Sequence, residues 1–215
     1  MDFFPDILRT REDRPRLAKR ERTRRQLIAA AISTFSTHGV ADTTMQQIAV
    51  AAGMTTGTVY NHFRTKAEIV QAVAVSIART IRERSAPGRT LMQTGAEQIA
   101  AGCRRYLGLA QASPAWALLI LDVASTDPAF RKTITGFVAT ELRHGIRRKE
   151  FVVTSEAAAL DLIIGSTMEG MRRLALDRVP KRHASSVVAM ILRGLGVPSA
   201  QAHRIATKDL PLFDA

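Results

Sequence analysis

The sequence contains one cysteine, Cys103, among 215 residues. A single thiol closes no intrachain disulfide and cannot build a multi-cysteine zinc site. Thirteen glycines and eight prolines are too few for low-complexity or collagen-like sequence. The longest purely apolar run, Ala115 to Leu121, has seven residues. A bilayer span needs roughly 20, so no membrane crossing is expected. The Arg-rich start is mixed with Asp2, Asp6, Glu12 and Asp13, and no apolar signal core follows it. The cytosol is the expected setting. No Gly-rich phosphate loop, HExxH, GxSxG or metal-ligand spacing occurs. The chain is therefore expected to be no enzyme, with no cofactor and no metal.

What the sequence has is positive charge and alanine. Lys and Arg number 31 against 19 Asp and Glu, a formal charge of +12. A polyanion is the first partner to consider. Residues 1–84 carry 14 basic and 8 acidic groups. Nine of those basic groups lie in residues 1–25, and none occurs from Gln26 to Phe63. This pattern reads as a basic arm over 1–18, ahead of a compact segment. An arm of this kind can follow phosphates or reach a narrow minor groove. An architectural DNA or membrane-surface binder would use the same charge without reading sequence.

The chain reads as all-helical. It contains 33 alanines, and no sustained alternation marks a strand. Leu27, Ile28, Ala31, Ile32 and Phe35 make one face of a first helix, about 19–37, with Gly39 just past its end. Thr44 and Gln47 have capping-box spacing and open a short helix, about 44–51, that ends near Gly53. Thr55 or Thr56 starts a third helix, with Val59 and Phe63 inward. Thr65 and Glu68 start a long fourth, with Pro87-Gly88 after it. The domains expected are 19–84, with a linking helix at its end, and 85–215. Further helices are expected at about 93–111, 114–124 (capped by Ser113), 128–148, 155–177, 183–195 and 199–207.

Two short helices meeting at a glycine turn behind a longer one describe a helix-turn-helix unit. The face of the third helix opposite Val59 and Phe63 carries Thr55, Thr56, Gly57, Tyr60 and Asn61. Hydroxyls, an amide and a glycine suit contacts to base edges and phosphates. His62, Arg64 and Lys66 follow, where phosphates would lie.

The stretch from Arg22 to Val73 resembles the DNA-binding domain of TetR/AcrR-type transcriptional repressors. The residues carrying the resemblance are Ala30, Phe35, Gly39, Thr43-Thr44, Ile48-Ala49, Ala52-Gly53, Gly57 to Phe63, and Lys66. The resemblance implies that Thr44 contacts phosphate and that Gln46 reaches a base or phosphate. It implies that Thr55, Thr56, Gly57, Tyr60 and Asn61 face the groove, and that His62 and Lys66 contact phosphate. It further implies a homodimer on a pseudo-palindromic operator, paired through helices 155–177 and 183–195, and a small-molecule effector in the C-terminal domain. Met92, Cys103, Tyr106, Trp116, Ile120, Phe137, Met168 and Met171 are the candidate pocket lining, together with Leu119, Phe130 and His144. The lack of an acidic cluster points to an apolar or weakly polar effector. Cys103 between helix neighbours of unlike direction reads as an inert thiol, with redox sensing as the lesser reading.

Overall fold

The computed structural model describes residues 19–84, 92–177 and 179–209. Among these there are ten helices and no strand. They are α1 Lys19–Asp42, α2 Met45–Ala51, α3 Thr56–His62, α4 Lys66–Arg84, α5 Gly95–Ala112, α6 Pro114–Thr126, α7 Pro128–Arg147, α8 Glu156–Leu176, α9 His183–Gly194 and α10 Ser199–Thr207. The chain forms two compact units, one ending at Thr80 and the other beginning at Ile81. The division thus falls inside α4, a few residues before the expected boundary. The expected arm over 1–18 and the Pro87-Gly88 punctuation lie outside the described residues.

In the first unit, α1 buries Leu27, Ala30, Ala31, Ile32 and Phe35. It is interrupted at Gly39, where φ is 79° and ψ 161°. The helix thus breaks at the glycine expected just past its end, and a further turn runs on to Asp42. α1 packs on α2, and α2 on α3. The Thr44–Gln47 capping box is fully formed: Thr44 Oγ1 accepts from the Gln47 N–H, and Gln47 Oε1 accepts from the Thr44 N–H. α2 ends in a Schellman arrangement. The Met54 N–H bonds the Ala49 carbonyl at 2.9 Å and the Gly53 N–H bonds that of Val50 at 3.0 Å. Gly53 has φ 65°, the left-handed conformation that this cap requires and glycine adopts without strain.

In the second unit, α5 packs on α6, α7, α8, α9 and α10, and α8 on α6, α7 and α9. Thr94 and Glu97 form a second complete capping box at the start of α5, a signal legible in the sequence that the expected start at 93 passed over. Asp127 caps α7 through the Ala129 and Phe130 N–H groups, and Ser155 caps α8 through that of Ala158. Ser113 occupies the N-cap position of α6, but its side chain makes no capping bond. Pro114 at the first position leaves one fewer N–H to satisfy.

Candidate nucleic-acid interface and interior cavity

α3 is held from behind and bare in front. Val59 and Phe63 are fully buried. The Arg24 guanidinium lies 4.6 Å over the Phe63 ring, a contact from α1 that sequence reading missed. Gln26 Nε2 donates to the Ala52 carbonyl at 2.9 Å, tying α1 to the end of α2. On the outer side, Gly57 and Asn61 are exposed, Thr56 is half-buried, and Tyr60 is 51% exposed despite its size. A Cβ added at Gly57 would meet only Thr55 Oγ1, at an ordinary 3.8 Å. Nothing among the described residues requires glycine there.

The other expected contact residues divide by what their polar atoms already do. Thr55 Oγ1 caps α3, accepting from the Thr58 N–H at 3.2 Å and sharing a proton with Thr58 Oγ1. The Thr44 hydroxyl donates to Gln47 Oε1 within its capping box. Gln46 is exposed and His62 half-buried. Lys66 differs most from expectation. Its ammonium donates to the carbonyls of Val40 (3.0 Å), Ala41 (2.8 Å) and Thr43 (3.1 Å). An ammonium has three donors, so all are taken inside the unit. Lys66 caps the carbonyls left open after the break at Gly39 and fixes the approach to α2. That geometry leaves it no proton for a phosphate, whereas Arg64 is exposed.

The second unit contains a pocket of about 130 Å³ that is partly open to solvent. α5, α7 and α8 supply most of its wall, with Ile120 from α6 and Ile81 and Arg82 from the end of α4. Of the residues expected to line it, Cys103, Tyr106, Ile120, Phe137, Met168 and Met171 do. Met92 and Trp116 do not, nor do Leu119, Phe130 and His144. Met92 precedes the start of α5. Trp116 is buried one helical turn before Ile120, the α6 residue that reaches the cavity. Sequence reading missed Gln98, Gly102, Thr167 and the charged residues Arg82, Arg105 and Glu141. Apolar periodicity marks a buried face but does not say where along it a void opens.

The Cys103 thiol and the Tyr106 phenol stay in their neutral forms. Burial pushes the Cys103 thiol up to about 11, against a weaker opposing hydrogen bond with Thr167. The Thr167 hydroxyl itself donates to the Ile163 carbonyl at 2.7 Å. Burial also raises the Tyr106 phenol well above its ordinary value, opposed in part by the nearby Arg82 charge. The Arg82 guanidinium lies 4.4 Å over the Phe137 ring, so a cation–π pair forms part of the wall. Among the described residues no group of His, Cys, Asp and Glu could hold a metal ion. None of the described helices is long and apolar enough to cross a membrane.

The helix-turn-helix and the cavity-bearing helical unit together define a class, the two-part helix-turn-helix regulatory proteins. Residues 27–73 match the model for bacterial regulatory proteins of the tetR family, and residues 94–208 match a tetracyclin repressor-like C-terminal domain. The chain belongs to the TetR family. It is 49% identical over 59 residues to the HTH-type transcriptional regulator SrpR of Pseudomonas putida, which is 27% of this chain and 28% of that one. It is 48% identical over 60 residues to the HTH-type transcriptional regulator TtgR, also of Pseudomonas putida, 28% and 29% of the two chains. The chain thus matches less than a third of the length of these curated relatives. Among solved structures it resembles RolR in complex with resorcinol, with a TM-score of 0.78, 24% identity, and 91% and 98% of the two chains covered. At that identity the likeness is one of fold.

Proposed function

We propose that this chain is a homodimeric DNA-binding repressor, released from a pseudo-palindromic operator by a small molecule bound in the cavity. The observation that carries the reading is the outer face of α3. Thr56, Gly57, Tyr60 and Asn61 present polar groups and close access to solvent on a helix locked from behind. Such a face suits the major groove, where amides and hydroxyls read base edges. Arg64 would supply phosphate attraction beside it, with Thr44, Gln46, Thr55 and His62 as nearby contacts. The family membership supports regulation as the role and gives no support to turnover.

The dimer would use α8 and α9, as the resemblance implies. Val188, Ile191, Leu192 and Leu195 are buried within the unit, so the pairing surface narrows. It comprises Asp161, Gly165 and Glu169 on α8 with Met190 on α9, which is 62% exposed. A two-fold dimer would present two copies of α3 to half-sites about 34–36 Å apart. α4 carries both Lys66 and, near its other end, the cavity residues Ile81 and Arg82. It is the element through which occupancy would reach DNA. The effector must then favour one of two states of the protein.

The cavity volume suggests the effector's size. An engineered apolar cavity of about 150 Å³ holds benzene, so about 130 Å³ suits one six-membered ring with small substituents. RolR's resorcinol is a molecule of that kind. The test is selection of bound sequences from random DNA, followed by anisotropy titration with random competitor. A palindrome preferred by about 10³-fold or more is expected. Equal binding to random DNA would overturn the reading and leave an architectural binder. Removal of residues 1–18, with affinity as readout, tests the arm.

A further inference from the structure

The helical glycines of the second unit fall into two groups. A Cβ at Gly145 would run into the Phe151 ring, at Gly170 it would lie 2.8 Å from a Leu107 methyl, and at Gly95 it would lie 2.9 Å from the Gly145 Cα. Those glycines are needed because a neighbour fills their side-chain space. Gly102 is different. It sits in the middle of α5 with no left-handed φ, and a Cβ added there meets nothing within 4 Å. Gly108, Gly136 and Gly165 are also open, but of the four only Gly102 lines the cavity. A mid-helix glycine weakens a helix relative to alanine. At Gly102 neither backbone conformation nor packing explains that choice. What the missing side chain provides is space inside the cavity.

Two polar cavity residues flank that space on the same helix. Gln98 and Tyr106 lie four residues before and after Gly102, so all three share one face. Neither the Gln98 amide nor the Tyr106 hydroxyl has a side-chain hydrogen bond among the described residues. The raised phenol remains a donor at neutral pH.

We propose that Gly102 sets the size limit of the effector site, and that Gln98 and Tyr106 bind the polar substituents of a single aromatic ring lying against it. This rests on the reading of the cavity as an effector site. The ligand class that follows is a one-ring phenol or its polar analogue. A fused two-ring compound exceeds the pocket's volume of about 130 Å³ and would protrude from its open side. An added methyl at position 102 takes up about the volume of one water, roughly 30 Å³, a substantial part of the cavity. A leucine there would occupy most of it.

Phenol, resorcinol, toluene and 1-naphthol are the probes, tested by calorimetric titration and by melting of the full chain. Wild-type protein is expected to bind phenol or resorcinol and raise its melting temperature with them, and to ignore 1-naphthol. Gly102→Ala is expected to melt a few degrees higher without ligand, because a helix glycine is gone, while binding the one-ring probes about tenfold more weakly. Gly102→Leu is expected to bind none. Tyr106→Phe, which keeps the ring, is expected to lose affinity for resorcinol more than for toluene. Gly102→Ala binding phenol and resorcinol as tightly as wild type would overturn the proposal and leave the effector reading standing. Wild-type protein indifferent to all one-ring probes would overturn that reading and the proposal with it. Since Gly102→Ala is expected to fold better than wild type, loss of binding in it cannot be ascribed to unfolding.

Discussion

The two units use the same residue in opposite senses. Gly57 on α3 and Gly102 on α5 are both helical glycines whose missing side chain no neighbour requires. Gly57 leaves its gap toward solvent, on the face proposed to meet DNA. Gly102 leaves its gap toward the pocket of the second unit. On the reading proposed above, the first unit keeps its stability in the core and its recognition on the outer face. In the second, the proposed recognition surface is part of the core, so recognition and packing would compete for the same side chains. A change at the first glycine therefore alters a surface, while one at the second alters an interior.

The strongest test of this contrast is at the outer face. Asn61→Ala or Tyr60→Ala is expected to lower operator affinity by about 1–3 kcal/mol, with melting unchanged within about 0.5 kcal/mol. Sequence selection with each variant should show relaxed preference at a separate position, and unaltered selections would remove these residues from the interface. Lys66→Ala is expected to reverse the pattern, costing about 1–2 kcal/mol of stability because three carbonyls lose a charged donor. Its salt dependence of DNA binding should match wild type. A salt slope lower by about one unit would instead return Lys66 to a phosphate. Gly57→Ala is expected to stabilise the fold by up to about 1 kcal/mol while weakening DNA binding, so the two readouts should move in opposite directions.

The smallest effect concerns the interior. The Cys103 thiol ordinarily titrates near 9.0 and is held up to about 11 in the folded chain. Between those values the unfolded chain releases the proton first, so this group's contribution to stability falls as pH rises through that window. Melting of wild type and Cys103→Ala at about pH 8 and about pH 10.5, on either side of the free thiol's ordinary value, should show the smaller pH effect in the variant. The same thiol should resist alkylation at the lower pH until the protein unfolds, and rapid labelling of the native form would revive a sensing role.

The sequence was most readable where a local pattern fixes a local structure. The capping box at Thr44–Gln47, the glycine turn at Gly53 and the Asp127-Pro128 start each depend on neighbours a few residues apart. Ten helices were expected and ten are present among the described residues, with ends displaced by a few residues; α9 and α10 lack a side-chain cap. Lys66 was misplaced because its partners, Val40, Ala41 and Thr43, lie more than 20 residues away. The cavity was half readable for a similar reason. Apolar periodicity brought Cys103, Tyr106, Ile120, Phe137, Met168 and Met171 to the interior, but it could not separate them from Trp116 or Phe130. A void is defined by several helices at once, and its clearest marker here, Gly102, is an absence of side chain. Apolar residues such as Val188 and Leu192 on α9 fit an interface and a core equally well, and both are buried within the unit.

The terminal residues of the described chain bear on how the protein is made. Lys208 reaches back to α5, pairing with Glu97 at 2.8 Å, and its carbonyl accepts from the Arg104 guanidinium. The Glu97 carboxyl is held below its ordinary value, chiefly by that Lys208 contact. The fastening of α5 thus joins positions 104 and 111 residues apart. During synthesis the first unit, built from near neighbours, can assemble once its own helices emerge. α5 then waits for position 208 to leave the ribosome before these contacts close. The bonds between α5 and Lys208 therefore close last among the described contacts of α5, after its neighbours α6 to α9 have been made.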